Sequence, residues 1–238
     1  MRALENLNVK IFADGASLAD IRRLCREPWV RGFTTNPSLM RKDGVAVYES
    51  FAAELVGTVP DRPLSFEVIA DDFPEMERQA VKIGAWGENV YVKIPITNTR
   101  GESSVPLIQR LARQGIKQNV TAIMTLGQVK ATAEALAEGP SSFVSVFAGR
   151  IADSGRDPVP MMSEAMEILR PYPHEELLWA SSREVLNIMQ ADHIGCHIIT
   201  VTNGLLSKLG GIGKDLDEFS LDTVKMFYND AAQSGYVL

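Results

Sequence analysis

A single lysine, Lys93, interrupts the otherwise apolar run Val90–Ile96. Burial disfavours the charged form of an amine, and a neutral amine can attack a ketone to form an imine. The protonated imine withdraws electrons, so that the adjacent carbon–carbon bond can break without a metal. The purely structural alternative is a lysine that extends to the end of its strand or pairs with a carboxylate.

Two acids and two further polar residues occupy comparable positions in other apolar runs. Asp14 ends the first run and Glu67 interrupts the third, SFEVI. A buried carboxylate is either paired structurally or acts as a general acid or base. Thr121 is also ordinary in a strand, and Asn36, which precedes a proline, also suits a turn. Only their joint placement with Lys93 indicates carbon–carbon bond chemistry.

Arginines and serines in the second half of the chain are typical of a phosphate site. Arg150 follows the sixth apolar run, and Ser181 and Arg183 follow the seventh. Guanidinium groups, a hydroxyl and a helix N-terminus together suit a phosphate group. Arg156 is a possible third cation, and the alternative for each arginine is a solvated surface side chain.

The elements that must position these residues are short apolar runs that alternate with amphipathic segments. Each run is rich in Val, Ile and Phe and nearly continuous in hydrophobicity, as in parallel strands covered on both faces. The eight runs are Val9–Ala13, Gly32–Thr35, Leu64–Ile69, Val90–Ile96, Asn119–Met124, Phe143–Ala148, Leu177–Ala180 and His197–Thr202.

The segments between the runs have helical spacing, which predicts an α/β fold and favours a single (β/α)8 barrel over residues 1–238. Since periodicity does not show whether a sheet closes, an open doubly wound sheet is the alternative. The predicted helices are Leu18–Cys25, Val45–Val56, Asp72–Trp86, Ser103–Gln114, Leu126–Ala137, Pro160–Leu169, Arg183–Ala191 and Gly204–Leu209. In a barrel, polar residues at the carboxyl ends of the strands meet at one mouth.

A further amphipathic segment, Asp217–Ser234, follows the eighth unit and is surplus to the barrel. We expect this C-terminal helix, within residues 215–238, to pack on the barrel or on a neighbouring subunit.

The composition restricts partners and location. The net charge of −6 predicts repulsion of nucleic acid and anionic lipid, so an anionic substrate must meet a local cluster of cations. The two cysteines lack the spacing of a metal site. No apolar stretch reaches the length of about 18 residues needed to span a membrane, and the first residues do not resemble a signal peptide. We therefore expect a cytoplasmic protein without a metal.

The TTNPS and VKIP segments, in this order and at this spacing, are specific signals, whereas each short motif alone is weak. They belong to a set of seven stretches: FADGAS (12–17), GFTTNPSL (32–39), SFEV (65–68), YVKIPIT (91–97), IKQNVTAI (116–123), VSVFAGRIAD (144–153) and WASSR (179–183). From Ile11 to about Leu209 the chain resembles the transaldolase family, particularly its small-subunit branch, which includes fructose-6-phosphate aldolases. The resemblance implies a ketose phosphate and an aldose phosphate as substrates and no cofactor.

The resemblance also implies roles for the residues that match its motifs. Lys93 forms the Schiff base, Asp14 takes the proton of the C4 hydroxyl, and Glu67 and Thr121 hold a water that relays protons. Thr35, Asn36 and Ser145 bind the hydroxyls of the dihydroxyacetone unit, and Arg150, Ser181 and Arg183 hold the phosphate.

The resemblance leaves reaction type and acceptor open. Glu67 favours transfer, because the aldolases that release free dihydroxyacetone carry glutamine here. The loop 98–102, the segment Val201–Gly204 and Arg156 depart from the family pattern, so a transaldolase for an unusual long-chain sugar is possible. The alternatives are such an aldolase and a non-catalytic barrel that binds sugar phosphates. The C-terminal helix resembles the one that joins subunits, which predicts a homo-oligomer.

Overall fold

The computed structural model, which describes Leu4 and residues 7–237, is a closed barrel of eight parallel strands in sequential order. The closure confirms the (β/α)8 prediction and excludes the open sheet. Residues 1–3, Glu5, Asn6 and Leu238, which the predicted domain includes, lie outside the described residues. The strands are β1 Lys10–Asp14, β2 Val30–Thr34, β3 Leu64–Glu67, β4 Val90–Pro95, β5 Gln118–Ile123, β6 Ser142–Val146, β7 Glu175–Trp179 and β8 Ile198–Thr202.

Helices follow the strands, and two short ones, α2 and α7, were not predicted. Both directly follow a strand at the barrel mouth. The helices are α1 Leu18–Leu24, α2 Pro37–Lys42, α3 Tyr48–Thr58, α4 Phe73–Gly84, α5 Val105–Arg113, α6 Leu126–Leu136, α7 Ala148–Asp153, α8 Pro158–Leu169, α9 Leu186–His193, α10 Asn203–Leu206 and α11 Leu216–Ser234.

Side-chain caps start several of these helices where the sequence supplies them. The Ser17 hydroxyl accepts a hydrogen bond at the start of α1, and the Asp72 carboxylate does so at the start of α4. Thr125 and Gln128 form a reciprocal capping box on α6. Each cap satisfies backbone N–H groups that the first helical turn leaves without partners. The strand-to-helix turns are thereby fixed close to the mouth.

The core has two parts. The larger part lies between the strands and the surrounding helices, while Phe12, Tyr91, Phe143 and Leu178 belong to a cluster inside the barrel. The ring of Phe143 stacks on Tyr91 at 4.0 Å between centroids and meets Phe12 edge-on at 5.6 Å. A Cβ at Gly32 would lie 2.6 Å from the Phe12 ring, so this glycine makes room for it. These side chains fill the lumen below the mouth.

The C-terminal helix α11 is present as predicted, and none of its residues is buried. Phe219, Val224, Phe227 and Tyr228 are all more than half exposed. The helix is therefore not packed on its own barrel, one of its two predicted locations. Within the described part of the chain, none of the helices combines the length and apolarity needed to cross a membrane.

Candidate active site

A cavity of about 490 Å³ lies at the mouth of the barrel, at the carboxyl ends of the strands. Side chains from opposite sides of the barrel line it, which places distant parts of the sequence together. Of the ten predicted site residues, eight line this cavity: Asp14, Asn36, Glu67, Lys93, Thr121, Ser145, Arg150 and Ser181. Thr35 and Arg183 do not.

Lys93 lies near the base of this cavity and is only 6% exposed. Its Nζ donates a hydrogen bond to the carbonyl oxygen of Thr35 at 2.9 Å and lies 3.0 Å from Oε2 of Glu67. The pairing of Glu67 with Lys93 in adjacent strands places both side chains on the same side of the sheet. The amine is thus held next to a group that can exchange protons with it.

Asp14 is the second carboxylate of the site. Its Oδ1 accepts a hydrogen bond of 2.7 Å from the Thr34 hydroxyl, whose oxygen lies 2.5 Å from that of Thr200. Burial raises the pKa of Asp14, and the charge of Lys93 and the Thr34 hydrogen bond partly offset that rise. A carboxylate with a raised pKa accepts a proton more readily, as a general base requires.

Thr121 has a buried hydroxyl for which the described residues offer no hydrogen-bond partner. Buried polar groups are normally paired, so an unpaired hydroxyl on a cavity wall indicates a site for water or substrate. The next residue, Ala122, has a φ of 62°, a conformation that costs energy for a residue with a side chain. This strained backbone lies where β5 meets the cavity.

Asn119 is a site residue to which the sequence prediction assigned no role. Its Oδ1 accepts a hydrogen bond of 2.6 Å from the Ser145 hydroxyl, and its Nδ2 donates one of 3.0 Å to the Ser65 hydroxyl. Asn119 also lines the cavity. The signal was available, because Asn119 lies two residues before Thr121 and alternate residues of a strand share a face.

Thr35 does not present its side chain to the cavity. Its hydroxyl donates a hydrogen bond of 2.9 Å to the carbonyl oxygen of Ser65, and Thr34 lines the cavity instead. In two successive threonines at a strand end, alternation sends the side chains to opposite faces, so Thr34 rather than Thr35 presents its hydroxyl to the cavity. The contribution of Thr35 to the site is its carbonyl oxygen, which holds Lys93.

The predicted phosphate side contains Arg150 on α7 and Ser181 after β7. The Arg150 guanidinium lies 5.9 Å from the centre of the Phe147 ring, at the edge of the cavity. Ser181 has a φ of 63°, and its carbonyl oxygen lies 1.6 Å from the position of a Cβ at Gly149. Glycine at 149 thus permits this close packing between the strained turn and the helix that bears Arg150.

Arg183 does not line the cavity. Its guanidinium forms two hydrogen bonds with the Asp153 carboxylate, of 3.0 and 2.5 Å, and the side chain is 45% exposed. The same contact lowers the pKa of Asp153. The pairing with Asp153 could not be read from the sequence, because the two residues are 30 positions apart.

Comparisons with known proteins bear on the family and the fold of the chain. The model of the transaldolase/fructose-6-phosphate aldolase family matches residues 11–236. A probable transaldolase of Dehalococcoides mccartyi is 33% identical over 84% of this chain and 90% of its own length. A probable transaldolase of Methanococcus maripaludis is 34% identical over 90% of this chain and 99% of its own length. The fold is similar to that in the crystal structure of a 2,3-dimethylmalate lyase, with a TM-score of 0.55. The two chains are 15% identical, and the match covers 99% of this chain and 87% of the other.

Proposed function

The chain belongs to the transaldolase/fructose-6-phosphate aldolase family, and on that premise we propose that it is a transaldolase that uses Lys93 as its Schiff-base nucleophile. It transfers a dihydroxyacetone unit from a ketose phosphate to an aldose phosphate. The observation that carries the proposal is the enclosed Lys93 amine, 3.0 Å from Glu67 in a cavity that Asp14 also lines. No metal or organic cofactor takes part.

Imine formation uses the pair of Lys93 and Glu67. The amine transfers a proton to the carboxylate and attacks the C2 ketone of the donor sugar. Glu67 then returns a proton to the C2 hydroxyl, which leaves as water. The free hydroxyl of Thr121 supplies a hydrogen bond for that water.

Cleavage uses Asp14 as the base. Its carboxylate takes the proton of the C4 hydroxyl, the C3–C4 bond breaks, and its electrons pass to the imine to give an enamine. The aldose phosphate product leaves, and a second aldose phosphate is attacked by the enamine in the reverse sequence. Asp14 then returns its proton to the new C4 hydroxyl, so no net proton is consumed.

Substrate recognition is divided between two sides of the mouth. Asn36, Asn119 and Ser145 bind the hydroxyls of the dihydroxyacetone unit, and Arg150 and Ser181 bind the phosphate. Arg183 does not contact the phosphate directly. It pairs with Asp153 and so supports the helix that bears Arg150. The guanidinium of Arg150 and the hydroxyl of Ser181 suit a phosphate because both form charge-assisted hydrogen bonds with it.

The acceptor distinguishes transfer from cleavage. Glu67 at the position where the lyases of the family have glutamine favours transfer, and free dihydroxyacetone release is the alternative. The loop after β4 is tied to the β3–α4 loop, because Thr99 donates hydrogen bonds of 2.8 and 2.6 Å to Asp71. A fixed rim of this kind selects acceptors by length, in line with specialisation for a long-chain sugar.

The test is borohydride reduction of the protein in the presence of a panel of ketose phosphates, followed by peptide mass spectrometry. A dihydroxyacetone-derived adduct on Lys93 is the expected result, and turnover should require an aldose phosphate acceptor. Turnover without an acceptor would identify the lyase. A protein that binds the sugar without forming any adduct would instead be a non-catalytic sugar-phosphate binder.

We also propose that α11 packs on a second copy of the chain, which makes the protein a homo-oligomer. The support is the large apolar surface that α11 exposes. Sedimentation of the parent and of a Phe219→Ser, Phe227→Ser variant should show a loss of mass in the variant. A parent that sediments as a monomer would contradict this assembly. We further propose that the protein is cytoplasmic, which cell fractionation would check.

A further inference from the structure

A second cavity lies on the other side of Glu67 from the active site. It has a volume of about 230 Å³ and lies outside the barrel, between α3 and α4. Tyr48, Ile69, Ile83 and Trp86 are among the residues that line it. Among the residues that the structure describes, Glu67 is the only one that lines both this side cavity and the mouth cavity.

Strand pairing on one side of β3 stops short of Glu67. Strands β2 and β3 are paired at two positions, Phe33 with Leu64 and Thr34 with Ser65. Glu67, the last residue of β3, is paired with Lys93 of β4 on its other side. The last backbone hydrogen bond on that side runs from the Thr35 N–H to the Ser65 carbonyl oxygen at 3.1 Å, so among the described residues none reaches Glu67 there.

Tyr48 on α3 lies against the backbone of Glu67 and lines the side cavity. Its hydroxyl donates a hydrogen bond of 2.8 Å to the carbonyl oxygen of Glu67, and its ring contacts that of Trp86 with 5.7 Å between centroids. Ile69, at the outer part of the cavity, is 66% exposed. The cavity is therefore framed by ordered side chains and open to solvent.

The charged groups around the side cavity are paired with each other. Lys82 pairs with Glu49, and Arg78 pairs with Glu75, each at 2.5 Å. Because these pairs leave no excess positive charge, the cavity offers little attraction for a sugar phosphate. A small neutral molecule suits it better, and water is the one that the proposed reaction releases and consumes.

We propose that the side cavity is a water passage to Glu67, used while the sugar occupies the mouth. The proposal rests on the Schiff-base function proposed above for Lys93. The water that leaves C2 during imine formation exits on the side of Glu67, and bulk water enters by the same path for hydrolysis.

Use of the passage can be measured by following the C2 oxygen through imine formation and hydrolysis. When the carbinolamine dehydrates, the C2–O bond breaks and the C2 oxygen leaves as water, while a C=N bond to Lys93 forms. In hydrolysis a water oxygen forms the new C2=O bond, and the amine regains its lone pair. A ketose labelled with ¹⁸O at C2 therefore loses its label only if the released water exchanges with bulk water before hydrolysis.

The experiment measures label loss from a C2-¹⁸O ketose phosphate, per imine-forming event, in the intact protein after rapid quenching. A blank without protein corrects for spontaneous exchange. Ile69→Trp covers the cavity from outside, and Ile83→Phe narrows it from within. The control is Val81→Trp, at a residue that is 44% exposed on the same helix as Ile83 but does not line the cavity. Thermal unfolding checks that each variant is folded.

We expect the parent and Val81→Trp to lose the label readily and either cavity variant to lose it severalfold more slowly. Unchanged loss in both folded cavity variants would overturn the passage, as would retention of the label by the parent or an equal decrease in Val81→Trp. Borohydride trapping on Lys93 separates this result from the function itself. Absence of an adduct in the parent refutes the Schiff base, whereas an adduct with unchanged exchange refutes only the passage.

Discussion

Carboxyl groups are shielded from water both at the mouth of the barrel and at its opposite end, but they are held differently. At the mouth, Glu67 lies 3.0 Å from Lys93, and Asp14 accepts a hydrogen bond from Thr34. At the start of β7, Glu175 is 4% exposed, and neither of its carboxyl oxygens has a partner among the described residues. Burial raises its pKa to about 8.

The difference separates two ways of accommodating an acid in a barrel. Glu175 avoids the cost of a buried charge by retaining its proton, and its carboxyl oxygens accept no hydrogen bond from the described residues. The mouth acids share a cavity with an amine and with hydroxyl groups, so proton exchange is possible among them. Shielding from water alone therefore does not make an acid a candidate for proton transfer. Glu175 also lines a cavity, of about 430 Å³, so the paired or hydrogen-bonded partner is what distinguishes the acids at the mouth.

The largest expected effect on activity comes from replacing a lysine by arginine, compared between the mouth and the opposite end of the barrel. Lys93→Arg retains the charge but cannot form an imine, so kcat should fall to below about 10⁻³ of the parent value. The matched control is Lys10→Arg at the start of β1, where the side chain pairs with Glu176. This control should retain activity in the same coupled assay. Comparable activity of both variants would refute the assignment of Lys93.

The next effect distinguishes the two arginines near the phosphate side. Arg150→Ala should raise KM for phosphorylated substrates by roughly 10- to 100-fold, because a hydrogen bond to a charged group is lost. Arg183→Ala should raise KM less, since that guanidinium is paired with Asp153 outside the cavity. Steady-state kinetics with phosphorylated and unphosphorylated ketoses give the comparison. An equal loss for both ketoses would contradict the phosphate role.

A smaller effect is expected at Thr34, beside Asp14. Thr34→Val is nearly isosteric and removes the hydrogen bond that lowers the pKa of Asp14. That pKa should rise further, so the acidic limb of the pH profile of kcat should move to higher pH. At the optimum, kcat should fall by about tenfold or less, as for one lost hydrogen bond. An acidic limb in the same place as that of the parent would exclude Asp14 as the base.

Much of the fold was predictable because each strand is an apolar run and each long helix is amphipathic. The prediction that the sheet closes rested on the number and alternation of the elements rather than on any single run, and the structure confirmed it. The helices α2 and α7 were missed because each has only six residues, too few for a clear periodicity. Bounds differ by a few residues, as for β7, which begins at Glu175 rather than Leu177.

The candidate site was predictable where a polar residue interrupts an apolar strand, as at Lys93 and Glu67. It was not predictable where the outcome depends on alternation at a strand end, as at Thr34 and Thr35, or on a distant partner, as for Arg183. The side cavity at Glu67 was also beyond the sequence, because it depends on where the ladder between β2 and β3 ends.

The smallest effect on activity is expected at Glu175, where the effect should instead be on stability. Its pKa is raised from 4.5 to about 8 in the folded protein, so between these values the folded state keeps a proton that the unfolded state releases. The free energy of unfolding should therefore fall as pH rises through this window and level off above it. Glu175→Gln has no proton to lose, so its melting temperature relative to that of the parent should increase from pH 5 to pH 8 while kcat stays unchanged. Melting temperatures of the two proteins that shift in parallel over this range would contradict the raised pKa of Glu175.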